Sequence, residues 1–325
     1  MKWMKVDQPD GLDSLTLADT AAPEPSPGQI RVRVAACGVN FADTLMIKGS
    51  YQVKPVPPFA PGIEIAGRID RLGDDVSGLQ EGQKVAAIVG HGGLAEQVVL
   101  DAALALPLPP GMDLVEAAAF PVAYGTSHVG LGHRVDLQAG ETLVVHGAGG
   151  GVGLTAVEIG KLMGARVIAT AGSRGKLDAA QAKGADVLID YAKDDVRQAI
   201  KDATDGKGAD VIYDPVGGAA FDASLRAINF EGRILVVGFA SGTIPQVPAN
   251  ILLVKNVSAV GLHWGLYAQK RPEVLVQSLQ TLMGWYQEGK IKPHVSATYP
   301  LDQARQALAD LAERRATGKV VVTIG

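Results

Sequence analysis

The chain has 325 residues, of which 47% are apolar and 20% charged, a composition typical of a globular protein with a large core. At about 150 residues per domain, this length predicts two domains. The formal net charge of −4, with no long basic block, argues against nucleic-acid binding. A single cysteine, Cys37, excludes an intrachain disulfide. Because no apolar leader and no run of about 20 apolar residues occurs, we expect a soluble cytoplasmic protein without a membrane partner.

Residues 1 to about 120 consist of short candidate strands between glycine and proline turns. The segments with this pattern are "IRVRVAACGV", "GRIDRLGDDVSGL" and "GQKVAAIVGHGGLAEQVVL". Regularly spaced strands of this kind predict a small twisted barrel or sandwich.

Candidate strands alternate with candidate helices from Glu141 to about Trp264. The strands are "ETLVVH", "ARVIAT", "ADVLID", "ADVIYD", "GRILVVGF" and "NVSAVGL". This alternation predicts βαβ units around a parallel sheet, and the continuously apolar strands indicate that both faces of the sheet are covered. The last part of the chain, two further helices and the strand "KVVVTIG", is expected to return to the first domain.

A glycine-rich turn, "HGAGGGVG", joins the first of these strands to the first helix. The order of strand, glycine turn and helix is the context that a dinucleotide fingerprint requires, since small residues admit the pyrophosphate and the helix N-terminus supplies free N–H groups. The best fit to G-x-G-x-x-G uses Ala148, Gly150 and Gly153, so alanine replaces the first glycine. A plain tight turn is the alternative interpretation.

The second strand, "ARVIAT", is followed by Ser173, Arg174 and Lys176 and by no acidic residue. Proteins that bind NAD place an acid near this point to hold the ribose 2′-hydroxyl, whereas cations and a hydroxyl suit a 2′-phosphate. The sequence therefore predicts NADPH as the cofactor. The alternative is a solvated basic start to a helix.

Several blocks in order give the chain a resemblance to a known family: "AACGVNFADTLMIKGSY", "PPFAPGIEIAGRI", "EGQKVAAIVGHGGLAEQVV", "HGAGGGVG" and "ATGKVVV". The chain resembles, over essentially its whole length, the zinc-free medium-chain dehydrogenases/reductases of the NADPH:quinone oxidoreductase and zeta-crystallin branch. The resemblance implies an α/β fold in which a Rossmann domain, a doubly wound parallel sheet of residues 123–265, is inserted into a mainly β GroES-like catalytic domain of residues 1–122 and 266–325. It also implies a cleft between the domains and a homodimer joined through the Rossmann sheet edge.

The resemblance also implies the site residues. Those on the pyrophosphate would be Gly150, Gly151, Val152 and Gly153. Those around the 2′-phosphate would be Ser173, Lys176 and Tyr191, with Arg174 beside them. Thr126 would touch the cofactor from the domain junction, and Phe239 and Ala240 would border the nicotinamide. Asn40, Asp43 and Tyr51 match polar positions that line the substrate side.

The metal ligands of zinc-dependent relatives are incomplete in this sequence. Cys37 stands where the first catalytic ligand would be, but Ile63 replaces the histidine of those enzymes. One ligand cannot hold zinc, so we expect no metal and a packed thiol at Cys37. The six histidines are scattered, and His146, just before the glycine turn, is interpreted as structural.

These residues predict hydride transfer from NADPH to a small-molecule quinone or α,β-unsaturated carbonyl. Without a Lewis acid, hydride transfer to such an acceptor is easier than the oxidation of an alcohol, because the negative charge delocalises onto oxygen. Asn40 or Tyr51 would hydrogen-bond the acceptor oxygen, and Tyr51 or water would supply a proton. The alternatives are that Tyr51 forms a wall of the pocket without proton transfer and that Asp43 caps a helix. The alternatives are a 2-enoyl-thioester (enoyl-CoA type) reductase and a non-catalytic NADPH-binding regulatory protein.

Overall fold

The computed structural model describes residues 1–325 and divides them into two compact units. The first consists of Met1–Val122 together with Pro293–Gly325, and the second of Ala123–Lys292. Both ends of the chain therefore belong to the first unit, and the second unit is an insertion.

The structure places residues 266–292, predicted from the sequence to join the first domain, in the second unit. Contacts of the long helix Pro272–Gln287 explain this correction. The His128 ring lies with its Nδ1 2.8 Å from Ser278 Oγ and packs edge-on against Trp285. This helix therefore packs on residues of the second unit.

Fifteen strands and eleven α-helices follow one another along the chain. In the first part they are β1 (Lys2–Val6), β2 (Leu15–Asp19), β3 (Gln29–Val39), α1 (Phe41–Ile47), β4 (Glu64–Leu72), β5 (Lys84–Ile88), β6 (Gln97–Asp101), β7 (Ala105–Pro107), α2 (Leu114–Ala118) and α3 (Pro121–His128). In the middle part they are β8 (Thr142–Val145), α4 (Gly151–Leu162), β9 (Arg166–Ala171), α5 (Arg174–Ala182), β10 (Val187–Asp190), α6 (Val196–Ala203), β11 (Ala209–Asp214), α7 (Ala219–Ala227), β12 (Ile228–Val236), α8 (Ala249–Lys255), β13 (Ser258–Gly261), α9 (Tyr267–Lys270) and α10 (Pro272–Gln287). The last part adds β14 (Val295–Pro300), α11 (Ala304–Ala312) and β15 (Lys319–Thr323).

The first unit is built on a mixed, mainly antiparallel sheet. Its strand order is β14-β15-β3-β4-β5-β7, with β6 paired to β3, and β1 and β2 form a separate hairpin. Along β3, buried Ile30, Val32 and Val34 alternate with the more exposed Arg31 and Arg33, which is the two-residue period of a strand with one covered face. This mainly β unit agrees with the predicted GroES-like domain.

The second unit contains a six-stranded sheet in the order β10-β9-β8-β11-β12-β13, and every neighbouring pair is parallel. Counted along the insertion, this is the order 3-2-1-4-5-6 of a doubly wound nucleotide-binding fold. Its central strand β8 is buried on both faces, since its neighbouring residues Leu143 and Val144, which point to opposite faces, are both fully buried. The predicted Rossmann fold is therefore confirmed. No helix in the chain combines the length and apolar character needed to cross a membrane.

Candidate cofactor and acceptor sites

The glycine turn between β8 and α4 has no room for a side chain where the helix begins. A Cβ placed on Gly153 would lie 2.2 Å from the carbonyl oxygen of Gly147 and 2.8 Å from the Cα of Ala148. Gly147 itself has a φ of 57°, in the region that favours glycine. The missing side chains let the first turn of α4 lie directly on the preceding loop.

The start of α4 presents free backbone donors. Gly150 is the N-cap residue, and its own N–H is used by the Gly147 carbonyl at 2.9 Å. The next two N–H groups, of Gly151 and Val152, belong to the first helical turn, have no partner, and lie on half-exposed residues. Free donors at the positive end of a helix dipole form an anion site of the kind that binds a pyrophosphate.

The predicted basic cluster lies beside this turn. A Cβ on Gly149 would meet the Cβ of Lys176 at 2.5 Å, so the alkyl stem of that lysine packs on the glycine turn. Ser173 is the exposed N-cap of α5, and its hydroxyl makes no capping bond. Arg174 is exposed too, but its guanidinium already binds Asp178 at 2.8 Å. Ser173 therefore offers an uncommitted hydroxyl, and both basic side chains lie in the first turn of the helix that follows it.

Tyr191 joins this cluster from the loop after β10. Its ring covers Gly172, where an added Cβ would lie 2.6 Å from the ring, and its N–H donates to the Ala171 carbonyl. The tyrosine is half exposed and lies next to Ser173 at the carboxyl end of β9. The structure therefore brings together three residues predicted around the 2′-phosphate.

The remaining predicted cofactor residues also follow the carboxyl ends of the parallel strands or lie on α3. Phe239 and Ala240 come after β12, and the Ala240 N–H donates to the Pro215 carbonyl at 3.0 Å. Pro215 follows β11, and the loop is held by Asp214, whose Oδ1 accepts from the N–H groups of Val216 and Gly217. In open parallel sheets ligands bind at this edge.

Thr126 is buried on α3, and its neighbour Ser127 ties that helix to the glycine turn. The Ser127 hydroxyl lies 3.0 Å from the Val152 carbonyl, 2.8 Å from Thr155 Oγ1 and 3.1 Å from the Tyr213 hydroxyl. This cluster of three hydroxyl groups, from Ser127, Thr155 and Tyr213, was not predicted from the sequence. Its only signal is a set of small polar residues within apolar elements, and nothing in the sequence pairs them.

His146 is fully buried and its ring nitrogens are both occupied. Nδ1 lies 3.0 Å from Thr170 Oγ1, and Nε2 lies 2.9 Å from Ser224 Oγ. Ser224 already donates to the Ala220 carbonyl, so it accepts from Nε2–H and fixes the neutral tautomer. Burial lowers the pKa of His146, although the charge of Asp214 opposes this. This surrounding fits the structural interpretation.

Asp43, one of three residues predicted on the substrate side, lies in the interior of the first unit. Its exposed fraction is 1%, and its two oxygens accept from the N–H groups of Asn40 at 2.8 Å and Gly62 at 2.9 Å. Burial raises its pKa to about 7, against the lowering effect of these two hydrogen bonds. The geometry favours the capping role over contact with a substrate.

Asn40 precedes α1 and lies in a buried polar cluster. Its Nδ2 donates to the Gly38 carbonyl at 3.1 Å and to Glu64 Oε1 at 2.8 Å, and its Oδ1 accepts from Lys319 Nζ at 2.8 Å. Both amide hydrogens are therefore in use. The expectation that Asn40 donates to an acceptor oxygen does not fit this geometry, and Oδ1 also faces the Asp43 N–H in the capping box at the start of α1.

Tyr51 follows α1, half buried, with its ring packed on the core of the first unit. Its hydroxyl makes no hydrogen bond within the protein. Burial, and then the charge of Asp43, raise its pKa, so the hydroxyl stays protonated at neutral pH. Of the three predicted substrate-side residues, Tyr51 alone has an unused donor.

The residues around Cys37 do not form a metal-ligand set. Burial, and then the charges of Asp43 and Glu64, raise the pKa of this fully buried thiol well above its ordinary value. No three His, Cys, Asp or Glu side chains in the chain lie close enough together to hold a metal ion. Zinc sites need at least three protein ligands.

Comparison with known proteins gives matches for both units. The family model described as alcohol dehydrogenase GroES-like domain matches residues 26–110, and the one described as zinc-binding dehydrogenase matches residues 151–281. A quinone oxidoreductase-like protein 2 homolog from Nematostella vectensis is 43% identical, over 90% of this chain and 81% of its own.

Two solved structures give similar matches across the fold. The quinone oxidoreductase of Escherichia coli complexed with NADPH has a TM-score of 0.92 and 27% identity, over 99% of this chain and 100% of that one. A mycobacterial protein complexed with NADPH has a TM-score of 0.93 and 29% identity, over the same shares of the two chains.

Proposed function

The chain belongs to the quinone oxidoreductase branch of the medium-chain dehydrogenases/reductases and is an oxidoreductase, and on that premise we propose that it transfers hydride from NADPH to a quinone or an α,β-unsaturated carbonyl. The observation that carries this proposal is the joint position of the glycine turn and the basic cluster. The stem of Lys176 packs on Gly149, and Ser173 is the N-cap of α5, two residues after the end of β9.

The residues of the second unit fit NADPH. The N–H groups of Gly151 and Val152 would hold the pyrophosphate at the start of α4, where Gly153 leaves the space. Ser173, Lys176 and Tyr191 would surround the 2′-phosphate, since no acidic residue follows β9 directly to repel it. The NADPH complexes of two structural neighbours support this choice. Bound NADPH would supply the hydride.

Tyr51 would serve the acceptor in the first unit. Its protonated hydroxyl would donate a hydrogen bond to the acceptor oxygen, where negative charge develops as hydride arrives. The same hydroxyl, or water, would supply the proton that completes the reduction. Asn40, with both amide hydrogens in use, would not donate to the acceptor oxygen, and Asp43 would hold the start of α1.

We propose further that the reaction needs no metal. The donor set around Cys37 lacks the three ligands that zinc requires, and Ile63 stands next to Glu64 in the strand region where a histidine would be needed. Quinones and enones spread the incoming negative charge onto oxygen. A hydrogen-bond donor such as Tyr51 can then stabilise that charge without a Lewis acid.

We also propose that the active form is a homodimer joined at the β13 edge. β13 pairs with β12 on one side only, so its other edge has unpaired backbone groups. On α8, just before it, Leu253 and Val254 are 77% and 73% exposed. A second copy would cover both the edge and these apolar side chains.

Deuterium transfer tests the proposed chemistry. NADPH deuterated at C4 would be incubated with 1,4-benzoquinone, a simple alkenal and an enoyl-CoA thioester, and the products analysed by mass spectrometry. Deuterium at the β-carbon of the alkenal product, with turnover of the quinone, supports the proposal. Turnover of the thioester alone favours the enoyl-thioester alternative. Binding of NADPH with no turnover of any acceptor favours a non-catalytic protein.

A further inference from the structure

Two buried charged residues, far apart in the sequence, meet in the first unit. Glu64 on β4 and Lys319 on β15 form an ion pair of 2.7 Å, and their side chains are 0% and 6% exposed. A buried ion pair is costly to form because both charges lose water. Its presence within an otherwise apolar sheet calls for a physical reason.

Both members of the ion pair make further hydrogen bonds, and each of them bonds the side chain of Asn40. Lys319 Nζ donates to Glu64 Oε1, to Asn40 Oδ1 at 2.8 Å and to the Val39 carbonyl at 2.9 Å, which uses its three hydrogens. Glu64 Oε1 accepts from Asn40 Nδ2, and Oε2 accepts from the Val122 N–H at 2.9 Å. Asn40 is therefore held at both ends of its amide.

The charges also fix which way the amide faces. An ammonium group accepts no hydrogen bond and a carboxylate donates none, so Oδ1 must face Lys319 and Nδ2 must face Glu64. A rotation of the amide by half a turn would place like groups against each other on both sides. Asn40 thus has one orientation, with no free hydrogen.

We propose that Glu64 and Lys319 are positioning residues that lock Asn40 in this orientation, so that neither hydrogen of its amide is free to bond a substrate. This inference rests on the proposed function for the identity of the substrate, but the locked amide does not depend on it.

A double-mutant cycle tests the positioning role. Glu64→Gln/Lys319→Met removes both charges without leaving one unpaired. We expect kcat/KM to fall about 10- to 100-fold, the usual effect of losing residues that orient a site. In an Asn40→Ala background the same pair should change kcat/KM less than about twofold, because nothing is left to position. An equal fall in both backgrounds, or no effect of Asn40→Ala alone, would overturn the proposal.

A control of the same length is the ion pair of Lys161 and Asp186 in the second unit, 2.7 Å long, whose side chains are 33% and 37% exposed. Lys161→Met/Asp186→Asn should leave kcat/KM unchanged in either background. A comparable fall in this variant would mean that losing any ion pair slows the enzyme, and would overturn the specific role of Glu64 and Lys319.

Hydrogen exchange of the Asn40 side-chain amide tests the same proposal in the wild-type protein. It needs neither enzyme activity nor a folded Glu64/Lys319 variant. The two Nδ2 protons would be assigned by their loss in Asn40→Ala and followed by NMR. We expect exchange at least about tenfold slower than for an exposed asparagine, because both protons are bonded. Exchange at the exposed rate would overturn the lock. If no acceptor is reduced, the proposed function fails, while this measurement still decides the positioning.

Discussion

The substitution Gly153→Ala, which adds a single methyl group, should weaken the binding of NADPH. The new Cβ would lie 2.2 Å from the Gly147 oxygen, about 1 Å inside normal contact, and the obstacle is backbone. The first turn of α4 must therefore move by about 1 Å, enough to break hydrogen bonds of roughly 2.7–3.2 Å from its N–H groups. Losing one bond to a charged group costs roughly 1.5–3 kcal/mol, so we expect the Kd for NADPH to rise about 10- to 100-fold. Overpacking should also lower stability by about 1–3 kcal/mol.

Two other glycines provide the controls for Gly153→Ala. Gly160→Ala crowds the Leu143 side chain, 2.5 Å from the new Cβ, on the same helix but away from its start. It should lower Tm and leave NADPH binding intact. Gly175→Ala adds a Cβ in open space and should change neither. Titration calorimetry with NADPH and thermal unfolding would be measured on all three. If Gly153→Ala binds NADPH as the wild type does, the assignment of this turn to the pyrophosphate is refuted.

Three further predictions follow from other parts of the site. Tyr51→Phe should lower kcat about 10- to 100-fold and change stability by less than about 0.5 kcal/mol, because its hydroxyl has no partner in the protein; an unchanged kcat in steady-state assays would exclude the role. Lys176→Ala should reduce the ratio of kcat/KM for NADPH over NADH about 10- to 100-fold by removing a charged partner of the 2′-phosphate, and an unaltered ratio would contradict that contact. Asp43→Asn should abolish the pH dependence of the unfolding free energy that comes from titration of the Asp43 carboxyl. The folded-state pKa of about 7 lies above the ordinary value of 3.8, so the stability that Asp43 contributes below pH 4 is lost as pH rises through 7, by up to ~4 kcal/mol. Urea unfolding should show the wild-type advantage over the variant shrinking from pH 4 to pH 8, and a constant difference would argue against the buried carboxyl.

The parallel-sheet fold could be predicted from the sequence because its signals are local. Each central strand is a continuous apolar run that ends in a turn, and the neighbouring residues Val211 and Ile212, on opposite faces, are both fully buried. The glycine turn could be found for the same reason, since strand, turn and helix are adjacent in sequence.

The location of the last long helix could not be predicted in this way. An amphipathic pattern over Pro272–Gln287 shows that the helix packs on something, but not on which unit. The contacts of Ser278 and Trp285 with His128 span about 150 residues of sequence.

The polar network of the first unit could not be predicted from the sequence for a related reason. Glu64 and Lys319 each look like an isolated charge in an apolar strand, and 255 residues separate them. Only the structure shows that they occupy both ends of the Asn40 amide, and hence that this residue has no donor left for a substrate. The sequence can suggest a role for Asn40 from its position in a motif. It cannot show which of its hydrogen-bonding atoms are free, because these depend on residues distant in the sequence.

The most direct test of the central claim is NADPH oxidation by enzyme dialysed against EDTA, with NADH compared under the same conditions. The acceptor would be a quinone, and the reaction would be followed at the nicotinamide absorbance band. The account predicts turnover that survives EDTA and a kcat/KM for NADPH at least about tenfold above that for NADH, since Ser173 and Lys176 are proposed to hold the 2′-phosphate. A preference for NADH, or activity that disappears with EDTA and returns with zinc, would contradict it.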